Sequence, residues 1–346
     1  MIKKTIKLIS LAFAALLCFT ALCKVTAADE LRAEFMSEVY TCAWGQSCVV
    51  SVAVKNPDGG KAELVLVDQD GVVLARTTAE GKSRITRLEF VCFWGFPRMQ
   101  VLSLQSGGEL LCTATLVCDK PNNIPIKSVA TGEKLIAFTF DAANGASQTA
   151  RILDLLDSYG AKCTFFVIGK YIVNNGEISR DIVQRGHELS NHSYEHLDMP
   201  TATAEQAFRS LERTIGLIAD ITGDNIVMYR PPSGISRFQD RAIARAFKSE
   251  VVNWTVDSRD GFGDSRETII RRVTEHITRG GIVLFHVYGD YTLEGLEYLL
   301  PYYTELGYRF VTVSELLFRD NYYIDENGVQ RLNPPEKYRT GTEFTA

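Results

Sequence analysis

Two histidines four positions apart are the part of this sequence best suited to chemistry. His192 and His196 enclose Ser-Tyr-Glu, and two imidazoles at this spacing can hold one metal ion. An isolated pair of this kind is more often made of ordinary polar residues near a helix start. The other groups that hydrolysis of an amide or ester at a metal needs are also in this chain: Asp141, Arg230, Asp257 and His286. The sequence therefore supports the hypothesis of a hydrolytic site, provided that the fold brings these residues together.

Most of these residues come at or just after the end of a short apolar segment that is typical of a β-strand. The predicted strands alternate with predicted helices, and they cover residues 135–140, 163–168, 187–190, 226–229, 251–256, 281–285 and 310–313. This alternation favours parallel strands wound into a barrel-like sheet. In a parallel α/β barrel the carboxyl ends of all strands open on one face, where active sites are built. We therefore expect the candidate residues to meet at one mouth.

The first third of the chain has a different pattern. Residues 29–120 contain short β-branched segments separated by Gly and Asp turns, which predicts a small all-β sandwich. A linker at 121–132 leads to the barrel at 133–318, and a polar tail follows at 319–346. No residue assigns a role to the sandwich. Trp44 and Trp94 could stack on sugars, although a place in the core is the better expectation.

The N-terminus has the features of a secretory signal. Three lysines precede an apolar run over residues 9–23, which is too short for a comfortable membrane span. Small residues at 25–27 offer a cleavage site, so we expect residues 1–28 to direct export to the cell wall or the medium. An uncleaved membrane anchor is the alternative. The net charge of −5 argues against a general nucleic-acid binder.

Eight cysteines agree with an exported protein. Two fall in the signal, Cys163 stands alone, and five crowd the first third: Cys42, Cys48, Cys92, Cys112 and Cys118. An odd number cannot pair fully within itself. Bridges from Cys42 to Cys48 and from Cys112 to Cys118 are conceivable, but spacing alone does not determine connectivity. The spacings do not match those of paired zinc knuckles.

The order of the motifs resembles the polysaccharide deacetylases, the NodB-like carbohydrate esterases. The matching stretches are Thr-Phe-Asp ending at Asp141, His-Ser-Tyr-Glu-His from His192, Arg-Pro-Pro from Arg230, Asp-Ser-Arg-Asp from Asp257 and Leu-Phe-His ending at His286. The resemblance implies a distorted (β/α)7 barrel and metal-dependent removal of N-acetyl groups from N-acetyl sugars. The Phe-Asp-Ala-Ala-x-Gly opening looks most like the branch of Gram-positive cell-wall and spore-cortex deacetylases. Residues before the linker lie outside the resemblance.

The resemblance also implies a role for each candidate residue. His192 and His196 would bind a divalent metal, usually zinc and sometimes cobalt or nickel, since neutral imidazoles suit those ions. Asp141 would be the general base, and Arg230 would pair with it and hold it ionised. His286 would protonate the leaving sugar amine. The other implied roles are Asp257 as the carboxylate that orients His286, the backbone N–H of Ser233 as an oxyanion donor, and Leu284 as a wall of the acetyl pocket.

Three positions depart from the family pattern. Ala142 stands where a second aspartate usually serves as the third metal ligand, and a methyl group cannot ligate. Asp141, the amide of Asn144 or water could take that place. Ser233 replaces an aromatic residue and Gly261 a tryptophan, so the acetyl pocket is expected to be wider or wetter. Asp260 is expected to be a solvated loop carboxylate.

Three functions are compatible with these residues. The leading hypothesis is hydrolysis of N-acetyl groups in a cell-wall polysaccharide of the N-acetylglucosamine or N-acetylmuramic type. The second is a glycan-binding module that lost catalysis with the ligand missing at Ala142. The third is an esterase that removes O-acetyl groups. In each case the expected partner is a polysaccharide rather than a nucleic acid, and a membrane contact would come only from an uncleaved signal.

Overall fold

The computed structural model describes residues 30–93, 96–121, 123–224 and 228–334. The predicted signal at 1–28, Trp94 and the end of the predicted tail lie outside these ranges. Within them, no helix combines the length and apolar character needed to cross a membrane. The contacts between residues divide the chain into two compact units. One holds residues 30–36, 49–88 and 103–113, and the other holds residues 37–48 and 89–102 together with the chain from residue 114 onward.

The N-terminal part of the described chain consists of strands in two sheets. The strands are β1 Arg32–Phe35, β2 Val39–Ala43, β3 Ser47–Lys55, β4 Lys61–Val67, β5 Val73–Glu80, β6 Ser83–Val91, β7 Met99–Ser106 and β8 Glu109–Asp119. One sheet has the order β1-β3-β6 and the other β2-β8-β7-β4-β5. Buried and more exposed residues alternate along β3 and β6, because successive side chains of a strand point to opposite faces. The predicted β-sheet region before the barrel is confirmed.

The C-terminal part is built on a curled, mostly parallel sheet. Its strands are β9 Ser128–Val129, β10 Leu135–Ala142, β11 Thr164–Val167, β12 Glu188–Asn191, β13 Val256–Asp257, β14 Gly281–His286, β15 Arg309–Phe310, β16 Tyr322–Ile324 and β17 Val329–Leu332. The order is β12-β11-β10-β14-β9-β17-β16, with β13 paired to β14 and β15 to β10. The central strand β10 is buried along its whole length. The predicted α/β class and the distorted barrel are confirmed.

Helices connect the parallel strands and cover the sheet. They are α1 Ala146–Ser158, α2 Gly169–Asn174, α3 Gly176–Gln184, α4 Ala204–Thr222, α5 Phe238–Ala246, α6 Arg266–His276, α7 Thr292–Glu305 and α8 Val313–Leu316. Short 3-10 turns lie at Pro232–Gly234 and Asp260–Phe262. The predicted cap of α4 is present, since the Gln206 N–H donates to the Thr203 hydroxyl and the Thr203 N–H donates to the Gln206 side chain.

Aromatic rings fill the space between the central strands and the helices. Phe138 contacts Phe285 and Phe310 with ring centroids 5.1 and 4.9 Å apart, and Phe140 stacks on Phe165 at 4.9 Å. Four of these side chains are fully buried: Phe138, Phe140, Phe165 and Phe285. Because large buried rings leave little room for adjustment, β10, β11 and β14 are fixed relative to one another.

Three segments differ from the sequence-based expectation. Within the predicted strand at 251–256, only isolated bridges at Val251 and Val252 and the start of β13 at Val256 form. The predicted strand at 310–313 ends at Phe310, because the Thr312 hydroxyl accepts from the Glu315 N–H and begins α8. The stretch after Arg319, predicted to be a polar tail, contains the hairpin β16–β17, and β17 pairs with β9. Gln330 in this hairpin is fully buried, so the sheet extends beyond the predicted end of the barrel at residue 318.

Candidate active site

The carboxyl ends of neighbouring strands place the candidate residues together. Asp141 on β10 and His286 on β14 are register partners in parallel strands. His192 follows the end of β12, and the adjacent Arg230 N–H donates to the Asn191 carbonyl at 2.9 Å. The convergence that the strand pattern predicted is therefore present for Asp141, His192, Arg230 and His286.

A buried ion pair joins Asp141 to Arg230. The Arg230 Nη1 donates to Asp141 Oδ1 at 2.8 Å, and Arg230 is fully buried while Asp141 is 6% exposed. The guanidinium also lies over the Phe166 ring, 4.0 Å from its centroid. Burial alone would raise the pKa of Asp141, but the groups around it, which include the hydrogen-bonded Arg230 guanidinium and His286, outweigh burial and lower that pKa. Asp141 is thus held ionised and in a fixed orientation.

The loop after β12 presents the two histidines to this carboxylate. His192 Nδ1 lies 2.9 Å from the Arg230 carbonyl, and its Nε2 lies 3.4 Å from Asp141 Oδ2. Because a carbonyl only accepts, Nδ1 carries the proton and Nε2 is left with a lone pair. The His196 ring lies beside it, with centroids 5.1 Å apart. Burial lowers the pKa of His192, so its ring is neutral as a metal ligand must be.

The backbone of this loop adopts left-handed conformations that a sequence pattern does not reveal. Ser193 has φ 68° and His196 has φ 59°. The Ser193 N–H donates to the Asn191 side-chain oxygen at 2.7 Å, and the Leu197 N–H donates to the Ser193 hydroxyl at 3.1 Å. Non-glycine residues in this region carry strain that surrounding contacts must offset. These hydrogen bonds stabilise a loop conformation in which the two imidazole rings lie side by side.

The imidazoles of His192 and His196 suit a divalent metal, but they are fewer than the three protein ligands that catalytic zinc normally has. Two neutral imidazoles suit zinc, cobalt or nickel, and the proton on His192 Nδ1 is held by a backbone carbonyl as is common for metal ligands. Ala142 is fully buried and supplies no donor, and Asn144, the other residue considered as a ligand, is exposed. In the described ranges no group of three or more His, Cys, Asp or Glu side chains has the geometry of a metal site. The Asp141 carboxylate is a further donor beside His192, with Oδ2 3.4 Å from His192 Nε2.

His286 takes its orientation from Asp260 rather than from the expected Asp257. The His286 Nδ1 lies 2.8 Å from Asp260 Oδ1, and the His286 N–H donates to Asp260 Oδ2 at 2.8 Å. Thr292 fixes the same carboxylate, since its hydroxyl donates to Asp260 Oδ2 at 2.6 Å. Asp260 is almost fully buried. Both the expected contact of Asp257 and the expected solvation of Asp260 are therefore corrected.

The Asp260 carboxylate favours the charged form of His286. Burial alone would lower the pKa of this imidazole, but its hydrogen bond and ion pair with Asp260 outweigh burial and raise it, with smaller contributions from Asp141 and Asp257. Asp257 is close enough to add to this field, while its own Oδ1 accepts from the Arg259 N–H at 2.8 Å. Sequence reasoning missed Asp260 because both aspartates follow the same strand, and only the 3-10 turn at Asp260–Phe262 decides which one reaches His286.

The remaining predicted residues lie around the same mouth. Leu284 is buried on β14, and it shares a face with His286 because alternate residues of a strand do so. Ser233 is exposed in the turn Pro232–Gly234, with φ 58°. At Gly261 an added Cβ would lie 2.7 Å from His286 Nδ1. A side chain at position 261 would therefore displace His286 from the position that it has here.

Comparison with known proteins agrees with this arrangement. Residues 128–252 match the family described as polysaccharide deacetylase. A peptidoglycan-N-acetylglucosamine deacetylase of Bacillus cereus is 32% identical over 216 residues, covering 60% of this chain and 96% of that protein. The uncharacterized protein YlxY of Bacillus subtilis is 32% identical over 193 residues, covering 56% of this chain and 60% of YlxY. The chain belongs to the polysaccharide deacetylase family.

A solved structure shows that the family also contains inactive members. A CE4 family pseudoenzyme from Bacillus anthracis is 29% identical, with a TM-score of 0.55 over 60% of this chain and 74% of that chain. A mutant of it is described as having restored enzymatic activity and matches with 30% identity and the same TM-score of 0.55. Membership of the family thus establishes the fold and leaves catalysis to be argued from the site.

Proposed function

We propose that this protein hydrolyses N-acetyl groups of a cell-wall polysaccharide and releases acetate. The proposal rests on one observation: a proton acceptor and a proton donor lie together at the same edge of the sheet. Asp141 is ionised beside a fully buried Arg230, and its register partner His286 has a raised pKa. A base and an acid with shifted pKa values facing one site are the arrangement that amide hydrolysis needs.

The chain's own groups divide the reaction between them. Asp141 takes a proton from the attacking water, and its ion pair with Arg230 aims the carboxylate. The water oxygen adds to the acetyl carbonyl carbon, the carbon–nitrogen bond then breaks, and His286 donates its proton to the departing sugar nitrogen. His192 and His196 would hold the divalent metal of the family, which supplies Lewis acidity toward the carbonyl oxygen when bound.

Two further residues are assigned to substrate contacts within this proposal. Leu284 would line the acetyl pocket on the same strand face as His286, and the Ser233 N–H would stabilise the negative charge that develops on the carbonyl oxygen. Asp257 would act at longer range by adding negative charge near His286. Support for these assignments comes from their place at the mouth of the sheet.

The substrate class and location follow the relatives. Deacetylases that match this chain act, by their names, on peptidoglycan N-acetylglucosamine or N-acetylmuramic acid. We propose a glycan of that kind as the substrate, and a secreted or wall-associated protein exported by residues 1–28. In the proposed organisation a β-sheet region precedes a barrel whose sheet includes β9 in the predicted linker and β17 beyond residue 318.

Acetate release from defined glycans tests the proposal. The purified full chain, supplied with zinc, should release acetate from N-acetylglucosamine oligomers or muropeptides. Asp141→Asn should abolish release while keeping the native circular dichroism spectrum at the assay temperature, because it removes the base but not the side-chain shape. Its unfolding midpoint should fall, since the buried Arg230 loses its counter-charge. Asp154→Asn on α1 is the matched control, since that carboxylate is 70% exposed. Turnover of Asp141→Asn at the wild-type rate would show that the base is assigned wrongly. Faster release from O-acetylated glycans would instead favour an esterase.

A non-catalytic glycan-binding function is the second candidate, and Ala142 favours it. Catalytic zinc normally keeps three protein ligands, whereas His192 and His196 supply only two once Asp141 is assigned as the base. The pseudoenzyme relative shows that loss of catalysis occurs in this family. Metal analysis and acetate release distinguish the two candidates. Bound glycan without zinc and without acetate would establish the binding function.

A further inference from the structure

Four cysteine side chains meet in a cluster that has no part in the proposed reaction. This cysteine cluster consists of Cys42, Cys48, Cys92 and Cys118. The four side chains are between 0% and 5% exposed, and all four belong to the same compact unit. An isolated buried cysteine such as Cys163 packs as a small apolar residue. Four thiols buried side by side require a further explanation.

Backbone contacts bring the members of the cluster together. Cys42 on β2 and Cys118 on β8 are register partners in adjacent parallel strands. The Gly45 N–H donates to the Cys92 carbonyl at 2.6 Å, and the Cys92 N–H donates to the Gln46 carbonyl at 2.9 Å. The turn between Cys42 and Cys48 therefore lies directly against Cys92.

The sulfur atoms form a chain of contacts with two ends. The sulfurs of Cys92 and Cys118 lie 2.9 Å apart. The Cys42 thiol is hydrogen-bonded to Cys48 and to Cys92, and these two contacts outweigh burial and lower its pKa to about 4. The order along the chain is Cys48, Cys42, Cys92, Cys118. One pairing alone uses these contacts and leaves no member over: Cys42 with Cys48, and Cys92 with Cys118.

A four-thiolate zinc site fits these distances less well than disulfides do. With zinc–sulfur bonds of about 2.3 Å in a tetrahedron, neighbouring sulfurs lie roughly 3.8 Å apart. The Cys92–Cys118 separation of 2.9 Å is much shorter. A disulfide of about 2.05 Å requires only a small further approach of the side chains.

We propose that the cysteine cluster is a site of oxidation that carries two disulfide bonds, Cys42–Cys48 and Cys92–Cys118. The oxidant is a disulfide of the exported environment proposed above, either that of a thiol oxidoreductase or a small-molecule disulfide. A cysteine thiolate attacks it to give a mixed disulfide and one departing thiolate. The partner thiolate then attacks the cysteine sulfur and frees the second oxidant sulfur. Each bond removes two protons and two electrons from the protein, and the disulfide of the oxidant receives them as it is reduced to two thiols.

This pairing makes the cluster a pair of cross-links within one compact unit. The first bridge closes the turn between β2 and β3, and the second joins the segment after β6 to the end of β8. Disulfides stabilise chiefly by restricting the unfolded chain. The pairing also differs from the Cys112–Cys118 bridge that spacing made conceivable, and it leaves Cys112 as a thiol.

Peptide mapping of the full chain tests the pairing without depending on export or activity. The chain is equilibrated with a buffer of reduced and oxidised glutathione, alkylated in denaturant without reductant, and digested with trypsin. The peptide of residues 33–55 should lack two hydrogens and carry no alkyl group. The peptide of residues 88–98, which holds Cys92, should be joined to the peptide that begins at Met99 and holds Cys118.

Two variants assign the second bridge. Cys118→Ser should release the peptide of residues 88–98 with an alkylated Cys92, whereas the matched Cys112→Ser should keep it cross-linked. Alkylation of all four cysteines in the wild-type chain would overturn the proposal, as would a Cys42–Cys92 cross-link. A zinc ion bound in equal amount to the chain, with all four cysteines recovered as thiols, would replace it with the metal site. Acetate release measured on the same sample reports on the proposed function separately.

Discussion

The protonation of His286 depends on the Asp260 carboxylate. The expectation that site residues follow strand ends does not distinguish Asp260 from Asp257. Asp260 makes two hydrogen bonds to His286 and raises its pKa against the effect of burial. Asp260→Asn keeps the shape and removes the charge, so the pKa of His286 should fall. The proposed acid then loses its proton at a lower pH, and the alkaline limb of the kcat/KM profile should shift to lower pH. The rate loss should approach the roughly 10²–10⁴-fold that a general acid contributes.

Asp257→Asn is the matched comparison for this experiment. Its carboxylate contributes to the raised pKa of His286 only through the field, after Asp260 and Asp141. Its removal should therefore shift the alkaline limb less than Asp260→Asn does. A larger shift from Asp257→Asn would return the orienting role to that residue and contradict the observed hydrogen bonds.

Ala142 sets the strength of the proposed metal site. Ala142→Asp adds a carboxylate at the end of β10, where the family pattern has its third ligand. We expect zinc to bind more tightly, as measured by competition with a chelator, because three protein ligands hold zinc better than two. Thermal stability in the absence of metal should fall, since Ala142 is fully buried and a buried carboxylate without a partner is costly.

A charge on the next residue controls for a general electrostatic effect. Ala143→Asp adds the same charge one position further along and should leave zinc affinity nearly unchanged. Equal affinity of zinc for Ala142→Asp and the wild-type chain would show that the missing ligand does not belong at position 142.

At the scale of elements, the strands could be predicted and the loops between them could not. Continuous apolar segments gave β10 and β14, and the strand-end rule gave Asp141 and His286, because hydrophobic pattern and parallel topology are strong physical constraints. The loop with left-handed backbone at Ser193 and His196 is also held by residues distant in sequence. The Tyr194 N–H donates to the Ser210 hydroxyl at 2.7 Å, and the Gly169 N–H donates to the Ser193 carbonyl at 3.0 Å. No local signal encodes such contacts.

The hairpin β16–β17 was missed for a related reason. Its turn contains Asn327-Gly328, which is a hairpin signal. The acidic and polar residues around that turn also suit a solvated tail. Its stability comes from long-range contacts: the Phe318 N–H donates to Gln330 Oε1 at 2.8 Å, and the Gln330 side-chain amide donates back to the Phe318 carbonyl at 3.0 Å. Tertiary contacts thus overrode a composition typical of a loose segment.

The start of β14 depends on a glycine that lets two strands approach. Gly280 has φ 74°, and an added Cβ would lie 1.9 Å from the Val129 carbonyl oxygen. Gly280→Ala should therefore lower the free energy of unfolding by more than the about 1–2 kcal/mol that left-handed backbone costs an alanine. Urea unfolding measures this loss. Because β14 carries His286, acetate release should fall with it.

Gly223→Ala separates the clash from the backbone conformation. Gly223 ends α4 with φ 75°, and among the described residues no heavy atom lies within 4 Å of an added Cβ. It should show only the conformational cost. Equal losses at the two positions would indicate that β9 and β14 separate easily and that the close approach at Gly280 does not fix the strand.

At the scale of the whole molecule, contacts group the chain differently from the predicted boundary at residue 120. Residues 37–48, 89–102 and 114–120 belong to the compact unit that contains the barrel. Within that unit, Asp119 at the end of β8 lies 3.5 Å from Arg245 on α5, and the two side chains are 0% and 3% exposed. The change in composition at the predicted linker therefore does not mark a boundary between compact units, because this ion pair joins residues on either side of the linker.

Asp119 should therefore be a stability determinant of the unit that carries the active site. Its carboxylate accepts from the Asn123 amide at 3.0 Å and from the Lys120 N–H at 2.9 Å, in addition to facing Arg245. Asp119→Ala leaves the buried guanidinium with Glu250, whose Oε2 lies 3.6 Å from Arg245 Nε, as its remaining carboxylate partner. Breaking a buried pair costs up to roughly 3–5 kcal/mol. The loss is measured as a shift of the urea unfolding midpoint.

Glu38→Ala provides the control, because the Glu38–Arg209 pair at 2.7 Å is 62% and 42% exposed and such pairs contribute about 0–1 kcal/mol. If both variants unfolded like the wild-type chain, the N-terminal segment would contribute nothing to the barrel unit, and a boundary at residue 120 would be the correct division of the protein.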